Sequence, residues 1–289
     1  MGEDITCNVN EDLTVVLGLP DGFDNSKPFK LMTHGFSSHV TGGKTAFVNA
    51  WMQTTNLEVN VILVNWPGLA FAAQVVDWDS VFYDAAALNS IDVGEYLGHC
   101  LAAISSQTGV SGSNMHLVGH SLGAHLMGKA GRTYNEILGQ HISRISGLDP
   151  AGPRFVDGPL TSAIPELYEN RLNTESASFV DAMHTDGSLT PAAVWFEPRL
   201  GDLHQLGHMD FYPQGGSEQP GCEFGGPDAL PFGICSHRRS TYYFLHSIWE
   251  PELFPSMECS DVEACSDDKV ISNDVVAFMG EQARVRIVK

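Results

Sequence analysis

The sequence contains few basic residues. Its 289 residues include 15 lysines and arginines against 35 aspartates and glutamates, which gives a formal net charge of −20. No lysine or arginine occurs between Lys44 and Lys129. Binding to nucleic acid or to an anionic membrane through charge requires clusters of basic side chains. The composition argues against both, so we expect no nucleic-acid partner, and self-repulsion among the acidic groups favours solubility.

Long apolar runs are also absent. No run approaches the roughly 20 residues that span a bilayer, and the polar start MGEDITCNVN lacks the apolar segment of a secretory signal peptide. No internal repeat and no linker rich in proline, glycine or serine interrupts the chain. We therefore expect a soluble, mature chain in which residues 1–289 form a single domain.

The cysteines lack the CxxC spacing typical of structural zinc sites. They form an even set of six, which favours disulfide bonds and an oxidising compartment over six buried free thiols in a cytosolic protein. Proximity in the sequence suggests the pairs Cys259–Cys265 and Cys222–Cys235, which leaves Cys7–Cys100. Six cysteines allow many other connectivities, so this pairing is a hypothesis.

Predicted strands and helices alternate along the chain. Apolar, β-branched runs of strand length predict strands at 29–36, 59–66, 115–120, 142–149 and 178–185. Apolar residues at helical spacing predict helices at 45–55, at 84–107, after residue 121 and at 237–249. This alternation is typical of an α/β fold, in which helices cover both faces of a mostly parallel sheet.

Residues 119–123, Gly-His-Ser-Leu-Gly, fit the G-x-S-x-G pattern of a nucleophile elbow. The two glycines keep neighbouring side chains from clashing in a strained turn between strand and helix. Such a turn exposes the hydroxyl of Ser121 above the sheet, and the helix N-terminus behind it favours developing negative charge. On the motif alone, a small serine packed at a tight turn is an equally good interpretation.

A nucleophilic serine needs a histidine that takes its proton and a carboxylate that orients the histidine. In this architecture, the acid and then the base follow the serine along the chain. Asp149 ends a predicted strand directly before Pro150, where the next strand would deliver a side chain to the same sheet edge. An ordinary turn residue is the alternative. Asp181 lies within a predicted strand and is expected to be structural, and Asp186 has the setting of a turn residue.

Position along the chain narrows the choice among 12 histidines. His237 opens the last predicted helix next to Cys235, and we predict that it is the base. His34 is expected to shape the loop after its strand, and His120 and His125 are expected to point away from the serine. Three further histidines are expected to pack around the site: His184, His204 and His208.

Seven blocks in unbroken order resemble the pancreatic lipase family, including its phospholipase A1 members: LMTHGFSS, VNWPG, HLVGHSLGAH, ISGLDPAGPRF, FVDAMHTDG, GHMDFYPQGG and ICSHRRSTYYF. The resemblance implies an α/β-hydrolase fold with Ser121 as nucleophile, Asp149 as acid and His237 as base. It also implies an oxyanion hole formed by the backbone N–H groups of Phe36 and Leu122, which would face the tetrahedral intermediate.

Two loops that the resemblance places beside the acyl groove give opposing indications about the ester. The disulfide loop 222–235 matches the family's lid and is short, as in the phospholipase A1 branch; its apolar side chains are Phe224, Leu230, Phe232 and Ile234. Without the resemblance, it would be read as an ordinary surface loop. Segment 187–206 is long, which favours triglyceride or galactolipid hydrolysis; it carries Trp195 and Phe196.

Two departures from the family pattern concern partners and metals. The chain ends soon after the catalytic region, so we expect no C-terminal β-sandwich domain and no colipase-type partner. The family's calcium loop falls near residues 165–181, where its mammalian members place aspartates at positions that here hold Asn173 and Ser176. Calcium prefers several carboxylate or carbonyl oxygens. We therefore predict no calcium there, and no other metal or cofactor.

The sequence thus predicts a secreted, monomeric serine hydrolase that cleaves acyl esters of glycerolipids at a membrane or micelle interface. We expect phospholipase A1-like hydrolysis at the sn-1 position, with triacylglycerol lipase activity beside it. The alternative within the same class is mainly a triacylglycerol lipase or a galactolipase. The alternative from another class is a non-enzymatic yolk-type or lipid-carrying protein, a role that relatives take after losing the nucleophile.

Overall fold

The computed structural model describes residues 5–9, 15–19, 22–36, 38, 42–70, 80–157, 162–189, 199–223, 226–228, 233–260 and 274–283. In chain order, the strands in these residues are β1 (Thr6–Val9), β2 (Val15–Gly18), β3 (Phe29–Thr33), β4 (Asn60–Val64), β5 (Met115–His120), β6 (Arg144–Leu148), β7 (Phe179–Met183), β8 (Gly187–Ser188), β9 (Gly201–Asp202), β10 (Met209–Phe211), β11 (Pro255–Ser256) and β12 (Ala277–Phe278). The helices are α1 (Gly42–Thr54), α2 (Pro67–Ala70), α3 (Ser80–Thr108), α4 (Leu122–Leu138), α5 (Pro165–Asn170) and α6 (Ile234–Trp249), with 3₁₀ turns at Gly112–Asn114, Thr174–Ser176 and Pro213–Gly216. No helix within these residues combines the length and the hydropathy that a membrane crossing demands.

A six-stranded parallel sheet forms the centre of the fold. Its strand order is β10-β7-β6-β5-β3-β4, and every neighbouring pair is parallel. His120 at the end of β5 pairs with Leu148 at the end of β6, which pairs with Met183 at the end of β7. The residues that follow these strands therefore emerge together at one edge of the sheet. The mostly parallel sheet predicted from the alternation of elements is confirmed.

Alternating residues of the central strands face two separate hydrophobic cores. Leu31 of β3 and Leu117 of β5 pack with buried residues of α3 and α4. The next residues along, Met32 and Val118, pack with buried residues of α1 and α6. Successive side chains of a strand point to opposite faces, so this alternation is what a sheet covered on both faces requires.

Two element boundaries that matter for the site differ from the prediction. β3 ends at Thr33 rather than at residue 36, because the chain at Gly35 turns to pack against Ser121. α6 begins at Ile234 rather than at residue 237, so His237 lies within its first turn. The other predicted helices and strands are present, with ends shifted by a few residues at most.

Two of the predicted disulfide bonds lie within the described residues and are confirmed. They are Cys7–Cys100, which ties the β1–β2 hairpin to α3, and Cys222–Cys235, which closes the loop before α6. Cys259 is disulfide-bonded as well, whereas its predicted partner Cys265 lies outside the described residues.

Candidate active site

Ser121 occupies a strained turn between β5 and α4. Its φ of 59° and ψ of −126° are rarely adopted by L-residues, and strain of this kind costs roughly 1–3 kcal/mol. The flanking glycines make the turn possible. A Cβ on Gly119 would lie 2.1 Å from the carbonyl oxygen of Gly123, and a Cβ on Gly123 would lie 2.7 Å from that of His34. The backbone at Ser121 therefore has the form of a nucleophile elbow.

The loop after β3 touches Ser121 through Gly35. A Cβ on Gly35 would lie 2.5 Å from Ser121 Cβ and 2.9 Å from Ser121 Oγ, so any side chain there would collide with the serine. This contact brings Phe36, the next residue, beside the serine, as the elbow does for Leu122. Within the described part of the chain, neither of their N–H groups donates a hydrogen bond. Their role as oxyanion donors stays a prediction. The Phe36 ring packs edge-on against Tyr83, with the ring centroids 5.4 Å apart.

Asp149 and His237 form a buried hydrogen-bonded pair. His237 Nδ1 lies 2.5 Å from Asp149 Oδ2; the aspartate is fully buried and the histidine is 6% exposed. The other carboxylate oxygen, Asp149 Oδ1, accepts the backbone N–H groups of Thr185 at 2.7 Å and Asp186 at 3.1 Å. These bonds fix the carboxylate at the end of β6, directly beside the end of β5 that carries Ser121. The three predicted catalytic residues thus lie at one edge of the sheet.

A second buried carboxylate, Asp186, lies beside this pair. Its Oδ1 accepts a bond from the Arg199 guanidinium at 3.1 Å, and its Oδ2 accepts the Leu200 N–H at 2.9 Å. Burial, reinforced by the neighbouring Asp149 carboxylate, raises the pKa of Asp186 to about 7. Asp186 lies in a bend after β7, as its setting suggested, but it is fully buried and belongs to the site. No pattern in the sequence indicates that burial.

Asp149, Asp186 and His237 also form a group that could hold a metal ion, since their ligand atoms lie within 4.8 Å of one another. Every carboxylate oxygen of the group already accepts a hydrogen bond from the protein. The Arg199 guanidinium brings a positive charge to Asp186, and a second cation would be repelled by it. The arrangement fits a hydrogen-bonded acid–base pair better than a metal site.

Two buried contacts position the first turn of α6 over the carboxylates. Gly233, just before the helix, has φ of 70°, and a Cβ there would lie 2.4 Å from Asp186 Oδ2. Glycine therefore allows the helix to begin directly against this carboxylate. The buried Gln219 side chain donates to the carbonyl oxygen of Thr185 at 3.1 Å and accepts the Tyr243 hydroxyl at 3.1 Å. Gln219 thus joins the chain after β7 to α6, a role that sequence reasoning missed.

The histidines beside the serine behave differently from each other. His125 points away, as predicted: its Nδ1 accepts the Leu172 N–H at 3.0 Å and its Nε2 lies 2.9 Å from the Ala151 carbonyl oxygen. Burial lowers the pKa of His125 to about 4, so the ring is neutral. His120 lies against the predicted base, a contact that the sequence did not predict. Its Nε2 lies 3.1 Å from the His237 carbonyl oxygen, and the two rings are 4.5 Å apart, because α6 begins over the end of β5.

Other predicted histidines divide between the site and the rest of the fold. His34 is fully buried and its Nε2 contacts Asn65, so it shapes the loop after β3 as predicted. His184 follows β7 and its Nδ1 contacts the Asp202 carbonyl oxygen; His204 contacts the Asp202 carboxylate. His208 instead accepts the N–H of a residue near the start of β7. The expectation that His208 packs around the site is therefore wrong, since the chain has by then returned to begin β10.

Most predicted lid and groove side chains lie outside the described residues: Phe224, Leu230, Phe232, Trp195 and Phe196. Ile234 is described, and it is the half-buried first residue of α6. The end of the long segment is described too. A Cβ on Gly201 would lie 2.6 Å from Asp149 Oδ1, so this segment packs directly against the predicted acid. That contact was not foreseen from the sequence.

Known proteins with similar sequences are lipases. A family model described as Lipase matches residues 20–287. The pancreatic triacylglycerol lipase of Myocastor coypus is 36% identical over 73% of this chain and 43% of its own length. The pancreatic lipase-related protein 2 of Cavia porcellus is 33% identical over 83% of this chain and 48% of its own length. The hepatic triacylglycerol lipase of Oryctolagus cuniculus is 36% identical over 85% of this chain and 47% of its own length. Among solved structures, the crystal structure of esterase PE8 matches with 18% identity and a TM-score of 0.35, over 57% of this chain and 72% of that chain.

The family match covers the whole six-stranded parallel sheet and the elbow at Ser121, which together form an α/β-hydrolase fold. The chain spans about half the length of the curated relatives it matches. The resemblance to the pancreatic lipase family inferred from the ordered sequence blocks is confirmed. The chain belongs to the lipase family, together with the pancreatic and hepatic triacylglycerol lipases that it matches.

Proposed function

We propose that this chain is a serine hydrolase that cleaves acyl esters of glycerolipids. Ser121 Oγ attacks the ester carbonyl carbon while His237 Nε2 takes the hydroxyl proton, and Asp149 orients the ring and stabilises the imidazolium. His237 then gives that proton to the leaving alcohol. A water molecule releases the fatty acid from the acyl-serine by the same steps. The N–H groups of Phe36 and Leu122 bind the oxyanion in both halves of the reaction.

The buried Asp149–His237 hydrogen bond next to the strained serine carries this proposal. Because Nδ1 is engaged at 2.5 Å by the carboxylate, the neutral ring presents Nε2 as the proton acceptor. A protein that only stores or carries lipid needs neither this pair nor a serine held at φ of 59°. These features favour an enzyme over the lipid-carrying alternative.

The finer proposal is phospholipase A1-like hydrolysis at the sn-1 position. The short loop closed by Cys222 and Cys235, 13 residues apart in sequence, supports it, because a short cover leaves room for a polar head group. The alternative is mainly triacylglycerol hydrolysis. Segment 187–206 and the names of the pancreatic and hepatic relatives favour that alternative.

We further propose an extracellular location and a lipid surface as the partner. The disulfide bonds support the first, since they persist in oxidising compartments. We also propose that the protein is a monomer that acts without a colipase-type partner.

The nucleophile is tested by Ser121→Ala, with Ser113→Ala, an exposed serine on the 3₁₀ turn before β5, as the matched control. We expect Ser121→Ala to lose roughly 10⁴-fold or more in ester hydrolysis and to lose labelling by a serine-directed phosphonate, with an unchanged circular dichroism spectrum. Ser113→Ala should keep both. Hydrolysis or labelling that persists in Ser121→Ala would contradict the assignment.

The substrate class is tested by comparing phosphatidylcholine, a triglyceride and a galactolipid, each as mixed micelles with the same detergent. Release of the sn-1 fatty acid from phosphatidylcholine at the highest kcat/KM would support the phospholipase proposal. A triglyceride cleaved fastest would support the alternative and show that segment 187–206 outweighs the short lid.

A further inference from the structure

The Arg132 side chain of α4 inserts into the loop formed by residues 170–176. Its Nη1 donates to the carbonyl oxygen of Arg171 at 3.1 Å and to Ser176 Oγ at 2.7 Å, and its Nη2 donates to the carbonyl oxygen of Asn170 at 2.6 Å. All three acceptors are neutral oxygens. A guanidinium thus lies where main-chain carbonyl groups and a side-chain oxygen converge, an arrangement that in other proteins also suits a hard cation.

The same loop is the one in which the family resemblance places a calcium ion, and its residues do not fit that ion. Calcium takes six to eight oxygens, several of them carboxylate. Here Asn173 Oδ1 accepts the Glu175 N–H at 2.9 Å in a capping box, and Ser176 Oγ accepts a bond from Arg132. The carbonyl oxygens that a cation would need are taken by the guanidinium, whose positive charge would repel a second cation.

The loop is a structural support of the candidate active site. Gly131 of α4 packs so closely on it that a Cβ would lie 2.0 Å from the Ser176 carbonyl oxygen. Leu172 is fully buried and packs closely on Gly147 of β6, where a Cβ would lie 2.6 Å from Leu172 Cδ2. The Leu172 N–H also donates to His125, four residues after Ser121. A change in this loop would therefore affect α4, which begins at the elbow, and β6, which directly precedes Asp149.

We propose that the Arg132 guanidinium is the built-in cation of the 170–176 loop, and that it replaces a bound calcium ion. A fixed guanidinium satisfies the carbonyl groups at any calcium concentration. The stability of the protein is therefore independent of calcium, and this independence depends on one side chain of α4.

The experiment measures the thermal unfolding midpoint in excess EGTA and in millimolar calcium. The wild-type midpoint should be the same in both buffers. Arg132→Ala should lower it by roughly 5 °C, because two carbonyl groups and a hydroxyl lose a charged donor. Arg132→Lys, which keeps the charge but cannot bridge all three acceptors, should lower it less. An Arg132→Ala midpoint equal to that of the wild type, or an Arg132→Lys midpoint lower than that of Arg132→Ala, would overturn the proposal. A wild-type midpoint that falls in EGTA and recovers with calcium would overturn it as well.

A gain-of-function variant tests the replacement itself. Arg132→Ala combined with Asn173→Asp and Ser176→Asp removes the guanidinium and supplies carboxylates. We expect its midpoint to rise by roughly 5 °C in calcium at about a hundred times the dissociation constant. The matched control keeps Arg132 and carries the two aspartates; its guanidinium should pair with them and calcium should have no effect. A triple variant that ignores calcium, or that folds in neither buffer, would count against the proposal.

Discussion

Replacing Asp186 by asparagine is expected to make the stability of the protein less sensitive to pH. Asp186 is fully buried, and burial with the adjacent Asp149 charge raises its pKa from the ordinary 3.8 to about 7. Between these two values the folded protein holds a proton on Asp186 that the unfolded chain has lost. Because the folded state then binds more protons, its free energy of unfolding falls as the pH rises through this window. Asparagine does not ionise, so the variant lacks this loss.

The magnitude follows from the size of the pKa shift. One pKa unit corresponds to about 1.4 kcal/mol, so a rise from 3.8 to about 7 gives on the order of 4 kcal/mol over the whole window. Between pH 5 and pH 8 the same arithmetic leaves about 3 kcal/mol. Asparagine also changes the contacts with Arg199 and Leu200, but that change does not depend on pH. The quantity to compare is therefore the stability difference between the two proteins at each pH.

The assay is urea unfolding with the disulfide bonds intact, followed by tryptophan fluorescence at pH 5 and pH 8. The free energy of unfolding of the variant, relative to that of the wild type, should be about 3 kcal/mol higher at pH 8 than at pH 5. Asp92→Asn, at an exposed position of α3, is the matched control and should show no such gain. A difference between wild type and Asp186→Asn that is constant across the two pH values would refute the reasoning, because Asp186 would then be ionised throughout.

Two further predictions separate activity from stability. Gly35→Ala places a Cβ 2.5 Å from Ser121 Cβ, so we expect a loss of roughly 100-fold or more in kcat/KM for ester hydrolysis. The control is Gly68→Ala, where a Cβ meets nothing within 4 Å, and it should retain full activity. Equal activity of the two variants would contradict the predicted collision with Ser121. Glu281→Gln removes the charge that Lys30 pairs with at the opposite end of the sheet. It should lower the free energy of unfolding by about 2 kcal/mol without changing kcat, whereas an unchanged urea midpoint would show that this pair contributes nothing.

Residues that directly follow strands could be predicted from the sequence. β5 runs from Met115 to His120, as predicted, because its apolar run is bounded by a glycine-rich turn. Ser121 and Asp149 then follow neighbouring parallel strands in register. Local patterns report strand ends well when the next residue cannot continue the strand, and parallel pairing brings those ends together. The relative position of these two side chains was therefore contained in the pattern.

Contacts between distant parts of the chain could not be predicted in this way. The strand predicted at 29–36 extends to Phe36, whereas β3 ends at Thr33. The close approach of Gly35 to Ser121, which the sequence pattern does not show, explains why the chain leaves the sheet there. His120 meets His237 across 117 positions. Asp186 is buried beneath Arg199 and Leu200, which contact it after a long intervening segment. The sequence shows the length of that segment but not that its end packs on Asp186. Each miss is a tertiary contact that has no local signal.

The two carboxylates at this edge differ in what their oxygens already bind. Asp149 and Asp186 follow adjacent strands and both lie near His237, but His237 Nδ1 bonds to Asp149, while Arg199 and the Leu200 N–H occupy Asp186. Because the pKa of Asp186 is raised to about 7, it is largely neutral below that pH and leaves Asp149 to face the ring. The oxygens of Asp186 are thus held by Arg199 and Leu200, and Asp149 is the carboxylate that orients the proposed base.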